Sequence, residues 1–240
     1  MLSAEGGRKI SRVLTPALFV LGGIAISQYR ENRQLKWRSQ QYYQWLGLML
    51  NANQKLYLKN QELAHKASHD QLTGLLNKQS WKEIIEQRQA SGKPFGVIFM
   101  DMNAFKAVND SPAHGHEVGD ELLANFGTHL RESFRREHDA LARGASRYGG
   151  DEFGFIVDFD NSAEQRAGSP ETQMAHTLDY LRAVVDGFTA WQDPSIIELG
   201  FGFAVGGALW SPDNPVSTRQ LLGQADAAMY TDKRQQGGAR

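Results

Sequence analysis

Two kinds of pattern divide the chain near residue 67, and this division constrains the fold more than any other feature. Before Ala67, apolar residues lie in one uninterrupted run or recur at helical spacing. After Ala67, short apolar segments alternate with helical segments and are separated by turn residues. Strands that alternate with helices are typical of an α/β domain. We therefore expect a helical region over 1–66 and one α/β domain over 67–240.

The composition excludes several kinds of site. Twenty-six basic and 27 acidic residues give a net charge of −1, so the chain has no overall positive field that would attract a nucleic acid polymer. The chain has no cysteine, which excludes disulfides, thiolate metal sites and cysteine nucleophiles. Any phosphate-binding site must therefore be local, and any metal site must use oxygen ligands or histidine.

The start of the helical region is apolar. Residues 13–27 (VLTPALFVLGGIAIS) carry no charge and lie between Arg12 and Arg30. A membrane-spanning helix needs about 17–25 apolar residues, so this run is short, and Pro16 weakens its beginning. We predict a retained membrane anchor over 1–30. A cleaved signal peptide, an interfacial helix and a buried core helix are the alternatives.

The rest of the helical region, 31–66, carries a heptad pattern. Asparagine at a positions lowers the stability of a coiled coil but favours a defined register and two strands. The pattern therefore predicts a short parallel dimer. The alternative is a single amphipathic linker helix that packs on its own domain. The a positions are Leu46, Asn53 and Asn60, and the d positions are Tyr42, Met49, Leu56 and Leu63.

The α/β region has two strong strand signals. Phe95–Met100 is a continuous apolar run, typical of a buried central strand, and it ends at Asp101. Gly149 and Gly150 supply the positive φ that a tight turn needs, within a predicted hairpin over 146–159. The remaining predicted elements are helices over 119–134, 172–188 and 218–233 and a strand over 197–209.

Three acidic residues carry the chemistry. Asp151 and Glu152 follow the glycine pair, and Asp101 follows the predicted central strand. Carboxylates that converge repel one another unless cations neutralise them, and Mg²⁺ prefers hard oxygen ligands. Two such ions could activate an attacking hydroxyl and stabilise a leaving pyrophosphate. The residue types therefore predict phosphoryl or nucleotidyl transfer.

Five segments place these acids in a longer ordered pattern. They are 70–78 (DQLTGLLNK), 101–110 (DMNAFKAVND), 115–120 (GHEVGD), 149–153 (GGDEF) and 226–233 (DAAMYTDK). In this order they resemble the signature motifs of the GGDEF family of diguanylate cyclases. The resemblance implies an α/β fold similar to nucleotidyl cyclases and polymerase palm domains, with a central, mostly antiparallel sheet flanked by helices.

The resemblance also implies how the acids act. Asp101, Asp151, Glu152 and the backbone carbonyl of Met102 are the expected ligands of two Mg²⁺ ions per active site, with Mn²⁺ as a substitute. Asp151 is also the expected general base for a ribose 3′-hydroxyl, and Glu152 supports the second metal. Asp151 and Glu152 are therefore the predicted catalytic residues.

The implied substrate is GTP. A carboxylate accepts the N1–H and amino donors of guanine, and an amide meets its carbonyl and N3 side, so Asp120 and Asn109 are the expected base readers. Lys106 and Lys233 are expected to neutralise the triphosphate, and the backbone amide of Phe105 is expected to cradle it. His116 is expected to hold the guanine loop. The predicted substrate-binding residues are Asn109, Asp120, Lys106, Phe105, His116 and Lys233.

The chain departs from the family pattern by two substitutions, Lys78 in place of arginine and Asn103 in place of a second aspartate, and by two insertions. Residues 111–114 (SPAH) make the base-binding loop about two residues longer than usual. A second insertion of about four residues within 143–147 separates the acids from Arg136 and Asp139, which resemble the R-x-x-D product-inhibition site of the family. This pair is predicted either to bind cyclic di-GMP or to be an ordinary cluster of charges at a helix end.

The implied function is that of a diguanylate cyclase, which condenses two GTP molecules into cyclic di-GMP and two pyrophosphates in a homodimer. A sensor that binds GTP or cyclic di-GMP is one alternative, and a cyclase with altered base specificity is another. Because GTP is cytosolic, the sequence predicts a single-pass protein of the inner, cytoplasmic membrane with its catalytic domain in the cytoplasm. The sequence does not predict the activating signal.

Overall fold

The computed structural model describes residues 4–137, 144–159 and 168–237, and it describes side chains over 19–134, 144–159 and 168–237. The chain divides into two compact units, Met1–Leu63 and Ala64–Arg240. The elements in chain order are α1 (Ala4–Ser68), β1 (Leu76–Asn77), α2 (Lys78–Ser91), β2 (Phe95–Asn103), α3 (Phe105–Asp110), α4 (Gly115–Glu137), β3 (Ser146–Gly149), β4 (Glu152–Asp158), α5 (Pro170–Ala190), α6 (Pro194–Glu198), β5 (Gly202–Trp210) and α7 (Thr218–Gln235).

The described residues of the first unit form one long helix, α1, which ends at Ser68. The predicted helix is therefore present, and the large side chains at its d positions are exposed. Tyr42, for example, is 57% exposed and Leu56 is 59% exposed. Such exposed apolar positions are compatible with pairing between two chains. The parallel coiled coil stays a prediction.

The predicted location in the inner membrane is wrong. Within the part of the chain whose side chains the structure describes, no helix combines the length and the apolar character needed to cross a bilayer. The physical reason is visible in the sequence: the uncharged run over 13–27 has 15 residues, and it is followed by Gln28 and Arg30. A spanning helix requires about 20 predominantly apolar residues. Residues 1–18 of the predicted anchor lie outside the described side chains.

The second unit is built on a five-stranded sheet with the order β1-β3-β4-β2-β5. The pair β1–β3 is parallel, and the other three pairs are antiparallel. The prediction of a mostly antiparallel sheet flanked by helices is confirmed. Strand β2 is the central strand that the apolar run predicted, because it is hydrogen-bonded to β4 on one side and to β5 on the other.

Alternation along β2 divides the core into two layers. Ile98, Met100 and Met102 face a cluster with apolar residues of α3, α4, α5 and α6. Phe95, Val97 and Phe99 face a second cluster with apolar residues of α2 and α7. Helices therefore cover both faces of the sheet. The C-terminal end of β2 and the N-terminal end of β4 meet at one end of the sheet, between these two layers.

Local signals explain where several helices begin and end. The side chain of Asn77 accepts a hydrogen bond from the Ser80 amide and caps α2, which ends at Gly92 with φ +68°. Ser217 and Gln220 form a reciprocal capping box at the start of α7. Such caps satisfy amides that have no partner inside the helix.

One predicted strand begins in the wrong place. The strand predicted over 197–209 is β5, Gly202–Trp210, and Ile197 lies instead in the short helix α6. Asp193 caps α6 by accepting a hydrogen bond from the Ser195 amide, and Pro194 occupies its first turn. Helix-start chemistry outweighed the apolar character of the segment, because a cap and a first-turn proline favour a helix.

Candidate active site

The acidic residues meet at the end of the central strand pair. Asp101 on β2 lies directly opposite Glu152 on β4 in the antiparallel register. Asp151 lies in the turn between β3 and β4, and its carbonyl accepts a hydrogen bond from the Met102 amide at 3.2 Å. Gly150 in this turn has φ +57°, which glycine adopts at little cost. Residues 50 positions apart in sequence are therefore brought together by strand pairing and a glycine turn.

The pKa values of two of these acids reflect this proximity. Burial raises the pKa of Asp151, the charge of Asp101 raises it further, and Lys233 only partly opposes the increase. Burial also raises the pKa of Glu152, with further contributions from Asp101, Asp151 and Asp226. Each shift favours the neutral carboxyl form. The site therefore carries more negative charge than its own cations balance.

One cation reaches this cluster from the last helix. The ammonium group of Lys233 on α7 forms an ion pair and hydrogen bond with Oδ1 of Asp101. Both side chains are largely buried, at 25% and 13% exposed. Lys233 therefore lies at the acids, as its predicted role beside the triphosphate requires.

The acids suit a divalent cation by chemistry and by charge. The predicted ligands are all oxygen atoms, which Mg²⁺ prefers, and the raised pKa values show mutual repulsion that a cation would relieve. Over the described ranges, however, no three His, Asp or Glu side chains are grouped closely enough to hold a metal ion. Oδ1 of Asp101 is instead paired with the ammonium group of Lys233.

The two predicted guanine readers lie on neighbouring helices. Asn109 is on α3 and Asp120 is in the second turn of α4. A Cβ at Gly119 would lie only 1.9 Å from Oδ1 of Asn109, so the amide packs directly against the residue that precedes Asp120. Oδ1 of Asn109 is buried and has no hydrogen-bond partner among the described residues. Such an atom is rare in a folded protein, where a buried acceptor is normally paired with the protein or with ordered water.

The other predicted substrate residues differ in exposure. Phe105 is buried in the core, whereas Lys106 and His116 are exposed to solvent. The predicted product-inhibition residues cannot be placed in the same way. The side chain of Arg136 and all of Asp139 lie outside the described part of the chain.

Two features of the site were not predicted from the sequence. Arg147 pairs with Asp70 at 3.3 Å, and its Nε donates to the Gly150 carbonyl at 2.8 Å, so it ties the segment after α1 to the glycine turn. Asp226 contributes to the raised pKa of Glu152. Asp226 stands within a matched motif and Arg147 lies two residues before the GGDEF segment, but the distant partners that give them these contacts could not be identified from spacing alone.

Comparison with known proteins identifies the domain. A family model described as "Diguanylate cyclase, GGDEF domain" matches residues 67–239. The chain belongs to the GGDEF family. The resemblance predicted from the five ordered motifs is therefore confirmed, and the acids at the glycine turn are those of a GGDEF domain.

Several relatives of this GGDEF domain carry activities in their names. The diguanylate cyclase TpbB of Pseudomonas aeruginosa is 33% identical over 190 residues, which cover 78% of this chain and 40% of that protein. The bifunctional diguanylate cyclase/cyclic di-GMP phosphodiesterase MucR of the same species is 34% identical over 180 residues, which cover 73% of this chain and 23% of that protein. The match thus spans less than half of each of these relatives.

Solved structures share the GGDEF fold. A sensory box/GGDEF family protein from Caulobacter crescentus superimposes with a TM-score of 0.52 at 30% identity, over 70% of this chain and 99% of that one. The diguanylate cyclase SiaD of Pseudomonas aeruginosa, solved with its activator SiaC, gives a TM-score of 0.54 at 21% identity, over 96% of this chain and 84% of that one. At that identity the second likeness concerns the fold alone.

Proposed function

We propose that this GGDEF domain is a diguanylate cyclase that joins two GTP molecules into cyclic di-GMP. The observation that carries this proposal is the register of β2 and β4, which places Asp101 opposite Glu152 with Asp151 in the adjoining turn. In each half-reaction a ribose 3′-oxygen forms a bond to the α-phosphorus of the other GTP. The bond from that phosphorus to the pyrophosphate breaks, and two pyrophosphates leave in total.

Asp151 accepts the proton of the 3′-hydroxyl. Its place in the turn beside Asp101 and Glu152 supports this role, because a general base must lie where the hydroxyl is activated. Lys233 and Lys106 neutralise triphosphate oxygens, and the amide of Phe105 cradles them. When GTP binds, we expect Lys233 to exchange part of its contact with Asp101 for contact with phosphate.

Asp101, Asp151, Glu152 and the carbonyl of Met102 would hold Mg²⁺ or Mn²⁺. Such ions supply charge that stabilises the attacking and leaving oxygens. Their binding would also offset the repulsion that raises the pKa values of Asp151 and Glu152.

Guanine is selected by Asn109 and Asp120. The carboxylate of Asp120 accepts hydrogen bonds from the N1–H and the 2-amino group of guanine, both of which adenine lacks. The amide of Asn109 meets the carbonyl and N3 side, and its unpaired Oδ1 can also accept a hydrogen bond from the 2-amino group. His116 holds the surrounding loop. Each subunit binds one GTP, and the two half-sites face each other in a homodimer, which α1 stabilises by pairing with its partner.

The test is product analysis. Purified protein incubated with GTP and Mg²⁺ should release cyclic di-GMP, and removal of divalent cations by chelation should stop the reaction. An Asp151→Asn variant should lose at least about a hundredfold in rate, the contribution typical of general acid–base catalysis. Persistent absence of product from a dimeric wild type would reject the proposal.

A matched control is available on the same strand. Asp158 lies at the other end of β4, where it is paired with Arg88 on the surface. Exposed ion pairs contribute little to stability, so an Asp158→Asn variant should keep the wild-type rate. Equal losses in both variants would mean that the loss is not specific to the acids at the turn.

A second candidate is a domain that binds GTP or cyclic di-GMP without turnover. The observation that favours it is the ion pair between Lys233 and Asp101, together with the lack of a preformed ligand cluster in the described residues. Nucleotide binding without Mg²⁺-dependent product would support it. Mass spectrometry of products from mixed ATP and GTP tests the third candidate, a cyclase of altered base specificity.

A further inference from the structure

The loop between the two guanine-reading residues is tightly folded. It runs from Ser111 to His114, between α3 and α4. The Ser111 carbonyl accepts hydrogen bonds from the His114 amide at 3.2 Å and from the Gly115 amide at 3.0 Å. Its hydroxyl accepts a third from the Ala113 amide at 3.3 Å. The loop is therefore held together by its own hydrogen bonds. It is followed by Gly115, the first residue of α4, which has a φ of +74°.

The last residue of this loop also contacts a distant segment. Nε2 of His114 lies 3.1 Å from the hydroxyl oxygen of Ser195 at the start of α6, 81 positions along the chain. That hydroxyl donates its single proton to Oδ1 of Asp193 at 2.6 Å. Ser195 must then accept from His114, so Nε2 carries the proton in this contact. The charge of His114 also contributes to the lowered pKa of Asp193, after the two hydrogen bonds from Ser195.

This contact lies one residue before helix α4, which carries Asp120. His114 immediately precedes α4, and Gly119 in that helix touches Oδ1 of Asn109. A shift of the first turn of α4 would change the separation between Asn109 and Asp120. Helix α6 itself is anchored, because Ile196 is buried in the core with residues of α4 and α5. The contact thus links the end of the loop to a helix that the core holds in place.

We propose that His114 is a positioning residue for guanine recognition. Its hydrogen bond to Ser195 fixes the first turn of α4 against α6, and this holds Asp120 at the distance from Asn109 that the guanine edge requires. The inference rests on the proposed binding of GTP at this site. It assigns a structural purpose to the extra residues of the loop, which end in the histidine that forms the contact.

The test uses the full chain and an analogue that cannot react. Binding of 3′-deoxy-GTP, which lacks the attacking hydroxyl, is measured by calorimetry with Mg²⁺ for the wild type, His114→Ala and Ser195→Ala. Each variant should bind about threefold to tenfold more weakly, the range expected for one hydrogen bond. The double variant should bind no more weakly than the singles, because both changes remove the same contact. His114→Gln, which retains a terminal N–H donor, should restore most of the affinity.

A second nucleotide separates positioning from general loosening. The analogue 3′-deoxy-ITP lacks the 2-amino group of guanine, so loss of base positioning should weaken it less and reduce the preference for 3′-deoxy-GTP. A His176→Ala variant on the exposed face of α5 is the matched control and should bind like the wild type. Thermal unfolding of every variant establishes that the fold is retained.

The outcomes are distinct. Wild-type affinity in His114→Ala, or equal weakening of both nucleotides, would overturn the inference. Failure of the wild type to bind 3′-deoxy-GTP would overturn the inference together with the proposed function. A wild type that binds 3′-deoxy-GTP but makes no cyclic di-GMP from GTP contradicts the cyclase alone, and the preference ratio still decides the role of His114.

Discussion

Glycine at position 206 allows α7 to pack directly on β5, and an alanine there should destabilise the domain. A Cβ at Gly206 would lie 1.9 Å from the Met229 amide nitrogen and 2.4 Å from both the Ala228 carbonyl carbon and the Met229 Cα. Ordinary van der Waals contact begins at 3.4 Å. The helix would therefore have to retreat by about 1.5 Å, because every obstacle is backbone and no side-chain rotation can relieve the overlap.

The magnitude follows from what α7 buries. Leu221, Ala225 and Met229 are buried in the cluster between α2, α7 and the sheet, and a retreat of the helix loosens all three. Overpacking of a core typically costs about 1–3 kcal/mol, and a backbone obstacle places Gly206→Ala at the upper end. For a domain of 150–250 residues this corresponds to a fall in Tm of roughly 4–12 °C.

The assay is urea and thermal denaturation, with a second glycine of the same helix as control. Gly223 is exposed on α7, and a Cβ added there would meet no other described element within 4 Å. Gly223→Ala should be stabilising by up to about 1 kcal/mol, because alanine has the higher helix propensity. If Gly206→Ala left the unfolding midpoint unchanged while Gly223→Ala raised it as expected, the close packing of α7 on Gly206 would not be the reason for a glycine there.

Two further predictions concern single residues. Asp70→Asn should lower the free energy of unfolding at neutral pH. Burial raises the pKa of Asp70, but hydrogen bonds from Thr73 and the charge of Arg147 outweigh burial and hold this pKa below its ordinary value of 3.8. The stability that this group contributes is complete above that value and is lost as the pH falls through the folded-state pKa, so the difference in urea midpoints should shrink below pH 3.8. Gly119→Ala should weaken GTP binding at least about tenfold by displacing the Asn109 amide, whereas Gly187→Ala, with open space at its Cβ, should leave calorimetric affinity unchanged.

Sequence patterns predicted the centre of the fold well. The apolar run from Phe95 and the paired glycines before Asp151 each have one dominant physical interpretation, a buried strand and a tight turn. Both are present, and their pairing brings Asp101 to the turn. The order of the motifs predicted which residues surround that turn. It could not predict how exposed these residues are or which side chains they contact.

Other parts depended on contacts that sequence spacing does not encode. The two-residue strand β1 exists only because Leu76 and Asn77 pair with β3, which is far away in sequence. The apolar character of Ile197 favours a strand, but the cap at Asp193 and Pro194 begin a helix there. The membrane anchor was predicted from a run that is shorter than a bilayer requires. The strand start at Ile197 and the membrane anchor were both inferred from short apolar runs, which are weak signals on their own.

The buried Oδ1 of Asn109 has a consequence for the discovery of inhibitors. An unsatisfied buried acceptor costs about 1–3 kcal/mol, and we expect a compound whose N–H pairs with this oxygen to recover part of that cost. A screen should therefore favour scaffolds with a donor at this point and reject isosteres that place a lone pair or a methyl group there. Fragments as small as an aminopyrimidine could report on this preference before any triphosphate mimic is synthesised.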